Sequence, residues 1–578
     1  MKRLPYGISD FKRIKRDDLY YVDKTMYLSL LEDENSYLLM IRPRRFGKSL
    51  FLSMVEAYYD VNMKDRFQEL FSGLWVGSHP TPLANKFQVM RFDFSKAGGD
   101  LDHLEEKFNR YCCSQLDAFI YKYKDFYEDW VVKAVLATNR AEDKLNIITI
   151  TARTKELSLY LIVDEYDNFT NDVLAHHGKE KFEALTHAEG FYRQFFKLFK
   201  DSFERILMFG VSPVTLDDLT SGYNIDWNIS NLPDFNSMLG FEEKDVRQML
   251  AYYKENANVR GDIDDIIEDM KPWYDNYCFA LKSFGRETVY NCDMVLYYLN
   301  PLLKTGEPPE NLIDKNIKMD ASKLQMLVSL DRGAKREDRI SSIENIANRG
   351  YVDMRLETSF PAKELLDRNN FLSLMYYYGM LTVGGGDPGL YHMIIPNECV
   401  RQQYWRFMIN IYEDWCPQPI KPDQDAYREM VYNGVWEPVI SNIGKAFLEL
   451  SSVRDSIGGE HNVQGFFKAW LGVCDYSILC PEMELNYGYS DFVMLPLRNH
   501  HPQAKHCYIF EIKYVKQSAP AEEANAKYVE AEAQIKQYAT TPRLLKAIHG
   551  CTLHGITVLF RGPHMEPPRP ILKFEVYG

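Results

Sequence analysis

Tyr37-Leu38-Leu39-Met40-Ile41 runs straight into Arg42-Pro43-Arg44-Arg45-Phe46-Gly47-Lys48-Ser49, and Leu50 to Tyr59 continues with the apolar spacing of a helix. Strand, loop and helix in that order, with Gly-Lys-Ser at the turn, decide the fold of the first part of the chain. Each piece has a chemical use. A helix N-terminus offers unpaired N–H groups and the positive end of its dipole to phosphate. Gly47 lets the backbone come close, Lys48 has the reach for β- and γ-phosphates, and Ser49 can set its hydroxyl on Mg²⁺. A phosphate loop of the usual kind carries glycine five residues before the second one, and here that residue is Arg42. A Cβ there limits left-handed backbone geometry, so the loop is expected to turn differently, through Pro43.

Working outward, Val89–Phe94, Tyr160–Val163 and Ile206–Val211 are further strand-length apolar runs separated by helical stretches, the pattern of a parallel sheet covered by helices. The run Leu159–Val163 ends in Asp164-Glu165-Tyr166-Asp167. Carboxylates at the C-terminal end of a buried parallel strand sit where such sheets bind ligands. Asp164 is expected to hold Mg²⁺ together with Ser49, and Glu165 to orient and polarise the attacking water. The fourth run ends at Ser212, a polar group placed to sense the γ-phosphate. Arg44 and Arg45 offer a guanidinium to phosphate, or else pair with an acidic neighbour and only shape the loop. Asp23 reads as an N-cap.

A second constellation lies near the C-terminus. Asp491 opens the run Asp491–Leu495, and nineteen residues separate it from Glu511 in Tyr508-Ile509-Phe510-Glu511-Ile512-Lys513. Residues two apart on a strand face the same side, so Glu511 and Lys513 project together. Pairing the two strands brings Asp491 close to Glu511, and two such carboxylates repel unless a cation lies between them. Mg²⁺ favours carboxylates plus waters, and Lys513 beside them is suited to orient the water or stabilise developing charge. From Glu511 onward there are nine Lys/Arg against seven Asp/Glu, a balance of +2.

The loop octapeptide, with upstream Tyr21-Val22-Asp23-Lys24-Thr25, resembles the AAA-ATPase-like family of bacterial proteins, in which a PD-(D/E)XK nuclease-like domain commonly follows the ATPase. That family shares the loop without its first glycine. Asp164–Asp167, Gly210-Val211-Ser212-Pro213, Tyr274–Phe279, Tyr378–Thr382 and Ile395-Pro396-Asn397-Glu398 also match it. Asp491-x(19)-Glu511-x-Lys513 resembles the PD-(D/E)XK signature. Glu482 matches its upstream acidic position, and Gln534 and Tyr538 its Gln-x-x-x-Tyr element. Tyr489 stands where that pattern more often has Arg. The resemblance implies Mg²⁺ at Glu482, Asp491 and Glu511.

The whole is 578 residues with 46% hydrophobic and 26% charged residues, an ordinary folded composition. A net charge of −14 excludes coating nucleic acid by bulk charge, though not a local basic groove. The longest uncharged stretch, 369–386, holds four Gly and three Tyr and is too polar to span a bilayer. The start carries no apolar signal core, so the chain is expected to stay in the cytoplasm. Ten scattered Cys without Cys-x-x-Cys fit a reducing compartment. His500, His501, His506 and Cys507 read as a loop entering a strand rather than a metal cluster. Tyr58–Tyr59 and Tyr376–Tyr378 read as core.

The expected architecture is α/β: a P-loop domain over 1–225, a helical lid or connector over 226–410, with a winged-helix-like form as one option, and a restriction-endonuclease-like α/β domain over 411–578. The expected function is ATP hydrolysis coupled to a Mg²⁺-dependent nuclease acting on nucleic acid, DNA before RNA, with no membrane partner and self-association open. The alternative is an ATP-dependent switch whose nuclease-like domain is inactive and only binds DNA or a protein.

Overall fold

Four of the apolar runs become strands β1 (Tyr37–Ile41), β2 (Gln88–Asp93), β3 (Leu159–Asp164) and β4 (Arg205–Gly210), joined by a short β5 (Trp227–Asn228). All pair in parallel, in the order β2-β3-β4-β1-β5. Every residue of β3 is buried, as expected of a parallel strand covered on both faces. The molecule is described by a computed structural model over residues 1–97, 103–168, 190–214, 227–256, 259, 261–314, 334–361, 364–365, 367–416, 420–453, 459–481, 484–485, 488–489 and 492–576. Among them no helix is long and apolar enough to cross a membrane.

The chain forms two compact units, each discontinuous in sequence. The first comprises Met1–Glu307, Ser322–Arg339 and Val352–Asn397; the second comprises Pro308–Ala321, Ile340–Tyr351 and Glu398–Gly578.

In the first unit, the region after the parallel sheet is largely helical, with Glu243–Asn256, Ile263–Tyr274, Cys292–Thr305 and Arg368–Tyr377. The middle of the chain also holds a small sheet that periodicity does not announce: β6 (Tyr351–Met354), β7 (Thr382–Asp387) and β8 (Leu390–Ile394), in the order β6-β8-β7. The three glycines of β7 give no alternation to read, and its register with β8 shifts between Val383 and Gly386. Two of the sequence motifs lock to each other here. Asn276 Nδ2 donates to Pro396 O at 2.9 Å, and Asn397 Nδ2 donates to Asp275 O at 3.0 Å. Tyr58, Tyr59, Tyr376 and Tyr377 are core residues.

Asp23 is not the N-cap of the helix Tyr27–Asp33, whose cap position is Met26. Its carboxylate accepts from Thr25 N at 2.9 Å and from Trp75 N at 2.6 Å. It thus caps the helix Trp75–Ser78 across fifty-two residues of sequence, a partner that no local pattern supplies.

In the second unit, β9 (Ser477–Pro481), β12 (Phe492–Pro496), β13 (His506–Val515) and β14 (Thr552–Arg561) form one mixed sheet; β10 (Glu484–Leu485) and β11 (Gly488–Tyr489) make a separate two-stranded piece. β15 (His564–Met565) and β16 (Arg569–Glu575) both pair with β14. β13 and β14 are parallel, and the other pairings of this sheet are antiparallel. One face carries Tyr508, bonded to Met430 O, and Phe560 against Phe447 and Phe467. The other face carries Val493, Cys507, Ile509 and Leu553 against Ile535 and Tyr538 of the helix Ala521–Tyr538. Glu511 and Lys513 share the parity of Cys507 and Ile509, so this helix lies over them.

Candidate active sites

The phosphate-loop segment leaves β1 with Arg42 N donating to Gly210 O, one step past the β1–β4 register. The left-handed residues are Arg45 (φ 69°) and Gly47 (φ 86°), so the loop turns there and not through Pro43. The helix Lys48–Tyr59 then starts with no side-chain cap, because Gly47 occupies the cap position. Its first N–H groups are left for an anion.

Lys48 folds back onto the loop, with Nζ donating to Arg42 O at 3.0 Å and Pro43 O at 2.8 Å. Burial pulls its pKa down against the opposing charges of Glu165, Asp164 and Asp167. Arg45 donates to Asp293 Oδ2 at 2.7 Å, the loop-shaping pairing. Arg44 reaches Asn168 Oδ1 at 3.1 Å and lies within electrostatic range of Glu165.

Facing the loop is the acidic end of β3. Asp164 is buried; its Oδ2 accepts from Arg91 Nη2 at 3.1 Å, while Oδ1 is buried with no hydrogen-bond partner. Arg91 also reaches Glu56 Oε2 at 3.5 Å and Ser49 O at 3.5 Å. Glu165, in left-handed backbone (φ 51°), has its pKa raised by burial, partly offset by Lys48 and Arg44. Asp167 accepts from Val211 N at 3.1 Å and Ser212 N at 2.7 Å, fixing the end of β4. The Ser212 hydroxyl accepts from Val214 N at 3.2 Å.

Later segments of the first unit press on the loop. Phe46 packs edge-on to Tyr277 and Phe279, with ring centres 4.9 and 5.5 Å away. Gly379 (φ 77°) meets Pro43 so closely that a Cβ on it would lie 2.9 Å from Pro43 Cβ. These contacts explain the motifs around Tyr277 and Gly379.

In the second unit, Phe492 stands opposite Phe510 in the β12–β13 pair. Asp491 and Glu482 lie outside the described residues. Glu511 and Lys513 are both buried, with Lys513 Nζ 3.5 Å from Glu511 Oε2. Lys513 also pairs with Glu530 Oε1 at 3.4 Å, and Glu530 with Lys527 at 2.9 Å. Lys527, above all, holds the Glu530 carboxyl below its ordinary range. Thr557, beside Glu511 in the β13–β14 register, and Gln534 each carry a buried side-chain oxygen without a hydrogen-bond partner. Tyr538 packs in the core. His506 and Cys507 belong to β13, and among the described residues no three metal-ligating side chains cluster.

Arg91, Glu530 and Thr557 are the site neighbours that sequence reading missed. A lone arginine inside the run Gln88–Asp93 was a signal for the first. For the second, the signal was its place one helical turn before Gln534.

A P-loop α/β domain followed by a nuclease-like α/β domain is the class that this fold and these sites define. Residues 5–220 match the family described as "Predicted AAA-ATPase", and residues 458–565 match the PD-(D/E)XK nuclease superfamily. The chain therefore carries an AAA-ATPase-like domain and, after it, a PD-(D/E)XK superfamily domain. It is also similar to a protein of Azotobacter chroococcum mcd 1 described as "Uncharacterized protein in vnfD 5'region", 29% identical over 313 residues. That match covers 51% of this chain and 52% of the relative, so the chain spans about half the length of the curated relative it matches.

Proposed function

We propose that the first unit binds and hydrolyses ATP with Mg²⁺ and that this activity powers or regulates a Mg²⁺-dependent phosphodiesterase in the second unit, acting on nucleic acid and on DNA in particular. One observation carries the reading: the uncapped helix N-terminus at Gly47 and the folded Lys48 face the carboxylates that end β3.

The residues fit the cation. The partnerless Asp164 Oδ1 and the Ser49 hydroxyl supply oxygen ligands of the kind Mg²⁺ takes. When bound, the ion neutralises charge on the β- and γ-phosphates. The chain does the rest. Backbone N–H groups of the helix start hold phosphate oxygens, and Lys48 leaves two carbonyls to meet the β/γ-phosphates. Arg44, whose charge lies within range of Glu165, supplies the guanidinium for phosphate in this reading. Glu165 accepts the proton of the attacking water, and Ser212, held by Asp167, reports on the γ-phosphate.

In the second unit, the Phe492–Phe510 register is the one that pairing Asp491 with Glu511 requires. Asp491, Glu511 and Glu482 are the cation ligands of this reading, and Lys513 orients the water. The test uses purified chain, plasmid DNA, Mg²⁺ and ATP. Cleavage lost in Glu511→Ala, with ATP turnover intact, is the expected result. ATP turnover with DNA binding but no cleavage by the unaltered protein replaces the nuclease with the switch.

A further inference from the structure

Arg42 opens the phosphate loop, and its side chain is wholly buried, at 0% exposure. Nη1 donates to Ile41 O and Ser230 O, and Nη2 donates to Phe235 O at 2.9 Å. The guanidinium sits 4.1 Å above the Phe279 ring, and Nε is buried without a partner. Its described partners are carbonyls and a ring, with no carboxylate among them. Burial draws its pKa down to about 10, which leaves it charged at neutral pH.

A buried cation without a counter-ion is strongly disfavoured. A backbone cradle solvates part of the charge, but pinning three carbonyls does not require a charge, since a neutral amide also donates. The neighbouring element built for anions is the loop that Arg42 begins. Its own carbonyl accepts from Lys48 Nζ at 3.0 Å.

We infer that Arg42 is a buried positioning residue whose charge is answered by the polyphosphate of the bound nucleotide, so that it sets the preference of the loop for highly charged phosphate tails. The inference rests on the nucleotide reading above. Arg42 makes no contact with the ligand in this account. It acts through its field, and the arginine that displaces the usual glycine thereby adds to the anion site.

A field effect scales with ligand charge, whereas a pin that only shapes the loop affects all nucleotides alike. The experiment measures affinities of adenosine, AMP, ADP and ATP by calorimetry on the full chain, unaltered and as Arg42→Lys and Arg42→Gln. One unit of charge acting over ~12 Å at an effective dielectric of ~20 is worth about tenfold in affinity. Without Mg²⁺, ATP carries about two more negative charges than AMP, so its preference over AMP should shrink roughly 100-fold in Arg42→Gln and persist in Arg42→Lys, with adenosine unchanged throughout. Equal losses for AMP, ADP and ATP in Arg42→Gln, or an unaltered ladder, overturn the inference. If Arg42→Gln does not fold, Arg42→Lys decides alone, since a flattened ladder with the charge retained also overturns it. Failure of the unaltered chain to bind any of the four removes the nucleotide reading itself, a result visible before any variant is made.

Discussion

Single side chains divide into those whose role shows in their spacing and those that only the fold brings in. Lys48 is of the first kind, and its Nζ is bonded to the carbonyls of Arg42 and Pro43 in the loop. Lys48→Ala should weaken ATP binding by about 1.5–3 kcal/mol, the usual worth of a hydrogen bond to a charged group, which calorimetry reads as roughly 10- to 100-fold. Glu165→Gln should bind ATP as tightly as before and turn it over on the order of 10²–10⁴-fold more slowly. A parental rate would hand the base role to another group, though Asp167 is already occupied by two backbone N–H donors. Arg91 is of the second kind. Its charge is visible in the sequence, but the meeting with Asp164 depends on two strands lying side by side. Glu530 and Thr557 are hidden for the same reason.

Among elements, apolar runs bounded by polar residues were legible: β1 through β4 and β12 lie within a residue of where the runs put them, and β13 extends past Tyr508–Lys513 at both ends. β7 was not, because glycines carry no side-chain period, and neither were β14 and β16, whose strand character comes from pairing with β13 and with each other. The close approach of Gly379 to Pro43 makes one element-level prediction. Gly379→Ala combines left-handed backbone with a 2.9 Å clash. It should destabilise the first unit by roughly 1–3 kcal/mol and weaken ATP binding as Pro43 shifts, measured by thermal unfolding with and without nucleotide. The strand pair β13–β14 makes another. His506 Nδ1 lies 2.8 Å from His554 Nε2. Burial, then His506 and Lys573, hold the His554 pKa down to about 4, and burial with Lys573 lowers that of His506. Unfolded histidine titrates near 6.5. The unfolded chain therefore binds more protons between about pH 6.5 and 4, and stability should fall as pH drops through that window. Denaturation midpoints of the intact chain at pH 7.5 and 5 should differ more than those of His554→Gln.

For the whole molecule, both domain types were readable from short motifs, because a phosphate loop and a Glu-x-Lys strand each need fixed residues at fixed spacing. How the chain is shared between the two units was not readable, since Pro308–Ala321 and Ile340–Tyr351 leave the first unit and return to it. Coupling belongs to this scale. If ATP turnover drives the nuclease, Lys48→Ala should abolish plasmid cleavage as completely as Asp491→Asn, while Asp491→Asn should leave ATP turnover at the parental rate. Cleavage by Lys48→Ala at the parental rate would make the two activities independent.

The reach of Gly379 back to Pro43 also bears on how the protein is born. The first unit draws its last segment from Val352–Asn397, so β1 and the loop after it leave the ribosome well before the residues that press on that loop. At about 5–20 residues per second of synthesis, some 20–80 s pass before residue 397 exists. Until then the loop after β1 waits without Gly379 against Pro43, and the nascent chain exposes an unfinished core. Translation speed and chaperone access should therefore govern the yield of folded protein more than they would for a domain that closes within its first two hundred residues.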